Sequence, residues 1–240
     1  MIDLHTHILP GMDDGAKIPE ISLQMLENLH NQGISEVVLT PHYYADRETP
    51  DAFLERRGAS VKALKKALAE IRDLSFPRIF LGAEVAFFDG ISHCKEINKL
   101  TIRGTNFLLL EMPFTKWSER IVREVIELKE SFHLNVVLAH VNRYFGCFTK
   151  QMLAELTYHD IIFQLNNEAL LKFGTRRKAL SMIRNHSAIY LGSDSHNLTD
   201  RRPNFDTTLN VLIKHLGGDD LKRLETTGWV IAGKGEEIDY

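Results

Sequence analysis

The chain opens Met1-Ile-Asp-Leu-His-Thr-His-Ile-Leu-Pro-Gly-Met-Asp-Asp-Gly15, MIDLHTHILPGMDDG. An apolar run of strand character carries two histidines one residue apart, and paired aspartates follow between glycines. On a strand, positions i and i+2 share a face, so His5 and His7 point the same way. The first element therefore delivers two nitrogen ligands to one place. The pattern decides the fold because it recurs along the chain.

Short apolar runs occupy residues 2–9, 36–40, 78–83, 107–110, 135–139, 161–165 and 188–192. Amphipathic stretches lie between them. Ile18, Ile21, Met25 and Leu29 keep helical spacing, with Pro19 near the start and Gly33 at the end. Val61, Leu64, Leu68 and Ile71 repeat that period, as do Ile121, Val125, Leu128 and Phe132. Alternation of buried strands with helices predicts an α/β architecture around parallel strands. Seven strands, most followed by a helix, predict a closed or nearly closed barrel, with an open doubly wound sheet as the alternative.

Polar residues gather at one end of those strands. The second run ends VVLTPH with His42, the third FLGAE with Glu84, and the fourth FLLLE with Glu111. The fifth ends VVLAH with His140, and the seventh YLGSDSH with Asp194 and His196. In a β/α barrel this end is the rim that carries active sites. With Asp14 from the opening loop, the set comprises His5, His7, Asp14, His42, Glu84, Glu111, His140, Asp194 and His196. Mixed imidazole and carboxylate donors suit Zn²⁺, Mn²⁺ or Fe²⁺ better than Ca²⁺, which prefers oxygen alone.

Any one such side chain reads most simply as a satisfied core or rim residue. The chain supplies its own control: of 11 histidines, the remainder fall in predicted helices, connections or the opposite strand ends. Burying the rim set without compensation is costly, so a metal cage is expected. The four carboxylates bring −4, which two divalent ions cancel and three turn to +2. Arg143 in HVNRY and Arg202 in DSHNLTDRRP add planar guanidinium groups beyond two rim strands, a match for phosphate oxygens. Rim aromatics, among them Tyr44, Phe87, Phe114 and Tyr144, are candidates to flank a ligand ring.

Composition excludes several classes. With 44% hydrophobic and 25% charged residues the chain reads as an ordinary globular protein, expected as one domain over residues 1–240. A net charge of −3 gives no global field for nucleic acid. No apolar run approaches the ~18 residues of a bilayer span, and His5 and His7 interrupt any signal-like N-terminus, so a cytoplasmic location is expected. Cys94 and Cys147 lack both CxxC spacing and an arginine six positions on, which removes a cysteine-phosphatase mechanism. No G-x-S-x-G elbow and no phosphate-binding glycine loop occurs.

The motifs DLHTH, LPGMDDGA, TPH, GAE, HVNRY and GSDSHN…RRP together resemble the polymerase-and-histidinol-phosphatase (PHP) superfamily, and within it the bacterial capsule and exopolysaccharide tyrosine phosphatases of the CpsB type. The resemblance spans residues 2 to about 203. It implies a distorted (β/α)7 barrel with three divalent ions, manganese foremost, held by the nine rim residues. It also implies that Arg143 and Arg202 bind phosphate, although Arg201 is adjacent, and that a hydroxide bridging two metals attacks phosphorus. The implied substrate is phosphotyrosine on a bacterial tyrosine kinase of polysaccharide export. A small-molecule phosphatase such as histidinol-phosphatase, DNA exonuclease chemistry and a non-catalytic docking module are the rival readings.

Overall fold

The apolar runs fold as strands, and two of them are interrupted just before the donor residue that follows. The computed structural model, which describes residues 1–71, 75–186 and 188–239, contains β1 (Ile2–Thr6), α1 (Pro19–Asn31), β2 (Glu36–Leu39), β3 (His42–Tyr43), α2 (Pro50–Ala69), β4 (Arg78–Leu81) and β5 (Glu84–Ala86). There follow β6 (Phe107–Glu111), α3 (Glu119–Phe132), β7 (Asn135–Leu138), α4 (Lys150–Tyr158), β8 (Ile162–Asn166), α5 (Glu168–Leu171), α6 (Phe173–Asn185), β9 (Ile189–Gly192), α7 (Phe205–His215) and α8 (Gly218–Ala232).

Helix starts follow from local chemistry. Thr49 accepts from Ala52 N at 3.3 Å ahead of Pro50 in α2, and Ser118 accepts from Ile121 N at 3.4 Å ahead of α3. Hydroxyl caps of this kind satisfy one of the donors that a helix N-terminus leaves free. The apolar stripe of α3 buries Val122, Val125, Ile126 and Leu128 against the strands.

Every strand pairing is parallel, in two sheets ordered β1-β2-β4 and β3-β5-β6-β7-β8-β9. The second expected strand splits at Thr40–Pro41 into β2 and β3, and the third splits at Gly82–Ala83 into β4 and β5. Proline cannot donate to a ladder, which favours a break there. Glu84 therefore opens a separate short strand instead of ending the third run. The circle closes between β1 and the end of β9: His7 N donates to Ser195 O at 2.9 Å and Asp194 N to His5 O at 2.8 Å. The result is a distorted seven-position barrel.

Its interior has two layers. Ile2, Leu4, Val38, Phe80, Phe107, Leu109, Val137, Ile162 and Tyr190 pack in an apolar cluster toward the N-terminal ends of the strands. Gln164, Asn166 and the rim residues lie above it. In β1 the register against β2 shifts between Asp3 and Thr6. An irregularity of this sort changes which side chains face inward, so Ile2 and Leu4 join the apolar plug and His5 still reaches the polar layer.

Gly192 is where β9 passes closest to that layer. A Cβ there would lie 2.7 Å from His5 Cβ and 2.9 Å from Gln164 Nε2, distances that packed atoms do not reach. Gly192→Ala is expected to lower the unfolding free energy by about 1–3 kcal/mol through overpacking, read as a reduced urea midpoint. An unshifted midpoint means the neighbours relax freely and the packing account is wrong.

Candidate metal centre

The loop from residue 8 to residue 18 folds back on β1. Ala16 N donates to His7 O at 3.0 Å, and Gly15 sits so close to that carbonyl that a Cβ would lie 2.0 Å from it. This contact presents both aspartates of the loop at the barrel mouth, where they take different places. Asp13 is buried against His7, whose Nδ1 lies 2.8 Å from Asp13 Oδ2, and the same carboxylate accepts from Gly15 N and His42 N at 2.9 Å each. Asp14 is 62% exposed, with Oδ1 3.4 Å from His196 Nε2 and 3.6 Å from His42 Nε2.

The expected ligands meet at one mouth. Three groups of donors lie within 4.8 Å of one another: His7, Asp14, His42 and His196; His5, His7 and Glu84; and His42, Glu84 and Glu111. His140 touches the last two groups, its Nε2 2.9 Å from Glu84 Oε1 and 3.3 Å from Glu111 Oε1. Asp194 lies between the first two, with Oδ1 3.4 Å from His7 Nε2 and 3.7 Å from His5 Nε2.

The arrangement fits divalent cations. His5 Nδ1 faces Gln164 Oε1 at 3.0 Å, His7 Nδ1 faces Asp13, and His196 Nδ1 faces the Asp194 carbonyl at 2.9 Å. Each of these acceptors fixes the Nδ1–H tautomer and leaves the Nε2 lone pair aimed inward, the usual support for a ligating histidine. His5 Nε2 and His7 Nε2 stand 3.2 Å apart. Two such lone pairs repel unless a proton or a cation lies between them. Among the described residues, His42 Nδ1, Glu84 Oε2 and His196 Nε2 are buried with no aligned hydrogen-bond partner, a cost of about 1–3 kcal/mol each if they stay unmatched.

The protein's own charges answer that cost by protonation. Burial pulls the His7 imidazole down, yet Asp13, Asp194 and Glu84 hold it well above its ordinary value. His140 rises to about 9 because Glu111 and Glu84 outweigh its burial. Burial raises the Glu84 and Asp194 carboxyls, but electrostatic interaction with the His5 ring and hydrogen bonds from neighbouring imidazoles bring both well below the carboxylate range. His196 falls to about 3 through burial and the His7 charge.

Two backbone positions at the mouth are left-handed without being glycine, His140 at φ 31° and Asp194 at φ 52°. Such conformers cost about 1–3 kcal/mol each and persist only when the surroundings enforce them. Gln164 Oε1 accepts from His140 N at 2.6 Å, and the Asp194 amide is held by the His5 carbonyl.

The sixth predicted strand carries no ligand type, yet its polar residues support the donor cluster. Gln164 supports both His5 and His140, while Asn166 Nδ2 donates to Asp194 Oδ2 at 2.9 Å. The signal was present as i, i+2 polar residues in FQLNN, a strand otherwise apolar. Sequence does not distinguish the adjacent aspartates, and only the fold sets Asp13 against His7 and leaves Asp14 exposed.

Arg143 lies at the mouth, its Nη2 donating to Asp194 Oδ2. Of the adjacent pair Arg201 and Arg202, it is Arg201 whose guanidinium faces the mouth. Arg201 Nη2 donates to Asp194 Oδ1 at 3.0 Å and its Nη1 lies 3.4 Å from Asp14 Oδ2. Arg202 is exposed and has no ion pair among the described residues. A tight loop decides between them: His196 N donates to Arg201 O at 2.8 Å and Arg201 N to Asn197 Oδ1 at 3.0 Å. It pins residue 201 at the mouth, and its neighbour falls outside.

Asp13→Asn removes the anionic partner of His7 and is expected to weaken metal binding about 10- to 100-fold, measured by competition with a chelating indicator; unchanged affinity removes Asp13 from this role. A second expectation concerns protons. His7 and His140 are both shifted toward the protonated form, and a ligating imidazole nitrogen must give up its proton, so metal loading is expected to release protons and affinity to rise with pH. Calorimetry in buffers of different ionisation enthalpy reads this directly, and buffer-independent heats contradict it.

Comparisons with known proteins agree with this geometry. Residues 1–228 match the family model described as capsular polysaccharide synthesis, CpsB/CapC. Tyrosine-protein phosphatase YwqE of Bacillus subtilis is 27% identical over 229 residues, covering 91% of this chain and 86% of that protein. Tyrosine-protein phosphatase CpsB of Streptococcus agalactiae is 25% identical over 236 residues, covering 93% and 94%. Among solved structures, those of YwqE from Bacillus subtilis and CpsB from Streptococcus pneumoniae, described as unique metal-dependent tyrosine phosphatases, share the fold with a TM-score of 0.78 at 23% identity, covering 99% of this chain and 96% of that one. With its family model spanning nearly the whole sequence, the chain belongs to the CpsB/CapC family of capsular polysaccharide synthesis.

Proposed function

We propose that this chain is a metal-dependent protein-tyrosine phosphatase that acts on a phosphotyrosyl protein, the tyrosine kinase that governs capsule or exopolysaccharide export. One observation carries the reading: imidazole and carboxylate donors converge at a barrel mouth where two guanidinium groups, Arg143 and Arg201, both reach Asp194. The named activity of the relatives and the capsular role of the family support the substrate and the partner. Among the described residues no helix is long and apolar enough to cross a membrane. We assign the enzyme to the cytoplasm, where a kinase's phosphotyrosines are made.

The three donor groups are assigned to three cations, and manganese suits their mixture of nitrogen and oxygen. When bound, such cations supply ionised water at neutral pH and polarise phosphoryl oxygens. The protein's residues do the rest. Asp13, Gln164 and the Asp194 carbonyl keep His7, His5 and His196 in the tautomer that presents Nε2. Arg143 and Arg201 stand on either oxygen of Asp194, placed to transfer donors to the nonbridging oxygens of a phosphoryl group. Fork-shaped donors fixed before the substrate arrives stabilise charge as it redistributes, without reorganisation at the moment of reaction.

The leaving group needs little assistance, because a tyrosyl phenol ionises near pH ~10, far below an alkyl alcohol. Phe114, 59% exposed, lies parallel to His140 with ring centres 6.0 Å apart. It offers an aryl ring an apolar face beside the cage, an arrangement that favours phosphotyrosine over small alkyl phosphates.

Turnover of a phosphotyrosyl peptide is expected to vanish with a chelator and return with added Mn²⁺. Arg143→Ala and Arg201→Ala should each lower kcat/KM by about 10²- to 10³-fold with metal content retained, whereas Arg202→Ala should stay near wild type. Full activity after metal removal overturns the proposal, and a large loss confined to Arg202→Ala reverses the assignment of the guanidinium.

A further inference from the structure

A cleft of about 290 Å³ opens beside the cage, walled by Asp14, His42, Tyr44, Arg47, Glu48 and Arg56. Two guanidinium groups line it, and they differ in how they are occupied. Arg56 Nε donates to Glu48 Oε2 at 3.3 Å, its Nη2 to Glu48 Oε1 and its Nη1 to the Met12 carbonyl at 2.5 Å. That cation is neutralised and anchored. Arg47 is exposed and has no ion-pair partner among the described residues.

What holds Arg47 is an aromatic face. Its guanidinium carbon lies 4.1 Å from the centre of the Tyr44 ring, and Tyr44 in turn stacks on His42 at 5.3 Å with 26° between planes. The three groups form a ladder from a cage imidazole to a cation at the rim. Stacking restrains a long side chain that otherwise loses rotamer freedom on binding. It also leaves the edge of the guanidinium, with its N–H donors, free for an incoming oxygen anion.

The position of the cleft matters as much as its charge. Asp14 forms its boundary toward the cage, and Arg201 Nη1 lies 3.4 Å from Asp14 Oδ2. A phosphotyrosine whose phosphate meets Arg201 therefore leaves an adjoining part of the substrate chain at the cleft. Glu48 is matched by Arg56 and Asp14 belongs to the donor set, so Arg47 is the cation left over. A volume at the small end of the ~300–1,000 Å³ typical of ligand pockets suits a side chain and not a folded surface.

We propose that this cleft receives an acidic side chain next to the phosphotyrosine of the substrate, and that Arg47 on its Tyr44 platform is the specificity-determining residue. The inference rests on the phosphatase reading above. Its ligand class is a carboxylate carried by the substrate chain.

The test compares kcat/KM for phosphotyrosyl peptides that carry Glu, Ala or Lys at each position within two residues of the phosphotyrosine. Wild type is expected to favour Glu over Ala at one position by about 3- to 10-fold, the value of one partly exposed charge-assisted contact. Arg47→Ala should bring that ratio to about one, Arg47→Lys should keep its direction, and Arg47→Glu should turn the preference toward Lys. Metal content of each variant is measured alongside, and a reversed preference is something mere loss of folding does not produce. Equal turnover of all peptides by wild type, or a Glu preference that survives Arg47→Ala, overturns the cleft assignment alone. If wild type cleaves none of the peptides, the phosphatase reading falls first.

Discussion

Glu84 Oε2 is a carboxylate oxygen with three imidazole nitrogens around it: His42 Nδ1 at 3.0 Å, His5 Nε2 at 3.1 Å and His7 Nε2 at 3.2 Å. A charge this deeply buried is costly unless matched, and neutral imidazoles facing it with lone pairs do not match it. Either protons or cations must enter. Several of the groups around Glu84 and the neighbouring Asp194 are positioned by supports one step farther out. Asp13 holds His7, Gln164 holds His5 and the His140 amide, and Asn166 holds Asp194. These supports hold the donors in place at a cost in buried polarity and left-handed backbone.

Breaks in the sheet make room for this density of polar atoms. A regular barrel fills its interior with layers of branched apolar side chains. Here the lower layer does so, and the upper layer departs from regularity wherever a ligand must turn inward. The interruption at Thr40–Pro41 lets His42 begin its own strand, and that at Gly82–Ala83 does the same for Glu84, which pairs in register with His42. The register shift in β1 brings His5 into the interior one residue after Leu4. Packing above the plug tolerates no extra atoms, as the approach of Gly192 to His5 shows.

The same economy links the cage to the substrate. Asp194 accepts two guanidinium groups and lies against three imidazoles, so one carboxylate is shared between the donor cluster and the arginines. The aromatic rings continue the arrangement outward: Phe114 over His140 on one side, Tyr44 over His42 on the other, with Arg47 above Tyr44. These rings and the guanidinium are layered on imidazoles of the donor cluster, which couples the outer mouth to the geometry beneath it.

Much of this was legible from residues alone. Alternating apolar runs and helical stripes specified a parallel α/β barrel, and a donor at the end of strand after strand specified a shared site, because barrel topology carries every strand end to one rim. What stayed illegible was local orientation. Adjacent Asp13 and Asp14 have identical chemistry, and only the fold-back of their loop onto the His7 carbonyl buries one beneath the imidazole and leaves the other exposed. Adjacent Arg201 and Arg202 differ only in which faces the mouth, and the hydrogen bonds of residue 201 to His196 and Asn197 decide it. Gln164 and Asn166 acquire their roles solely through neighbours from β1, β7 and β9. The sequence by itself determined the barrel and the chemistry of its rim, since periodicity and residue type are local properties. The tertiary structure alone decided which donor points inward and which group supports it, since those depend on contacts between segments up to 190 residues apart, such as Asp3 with Ser193.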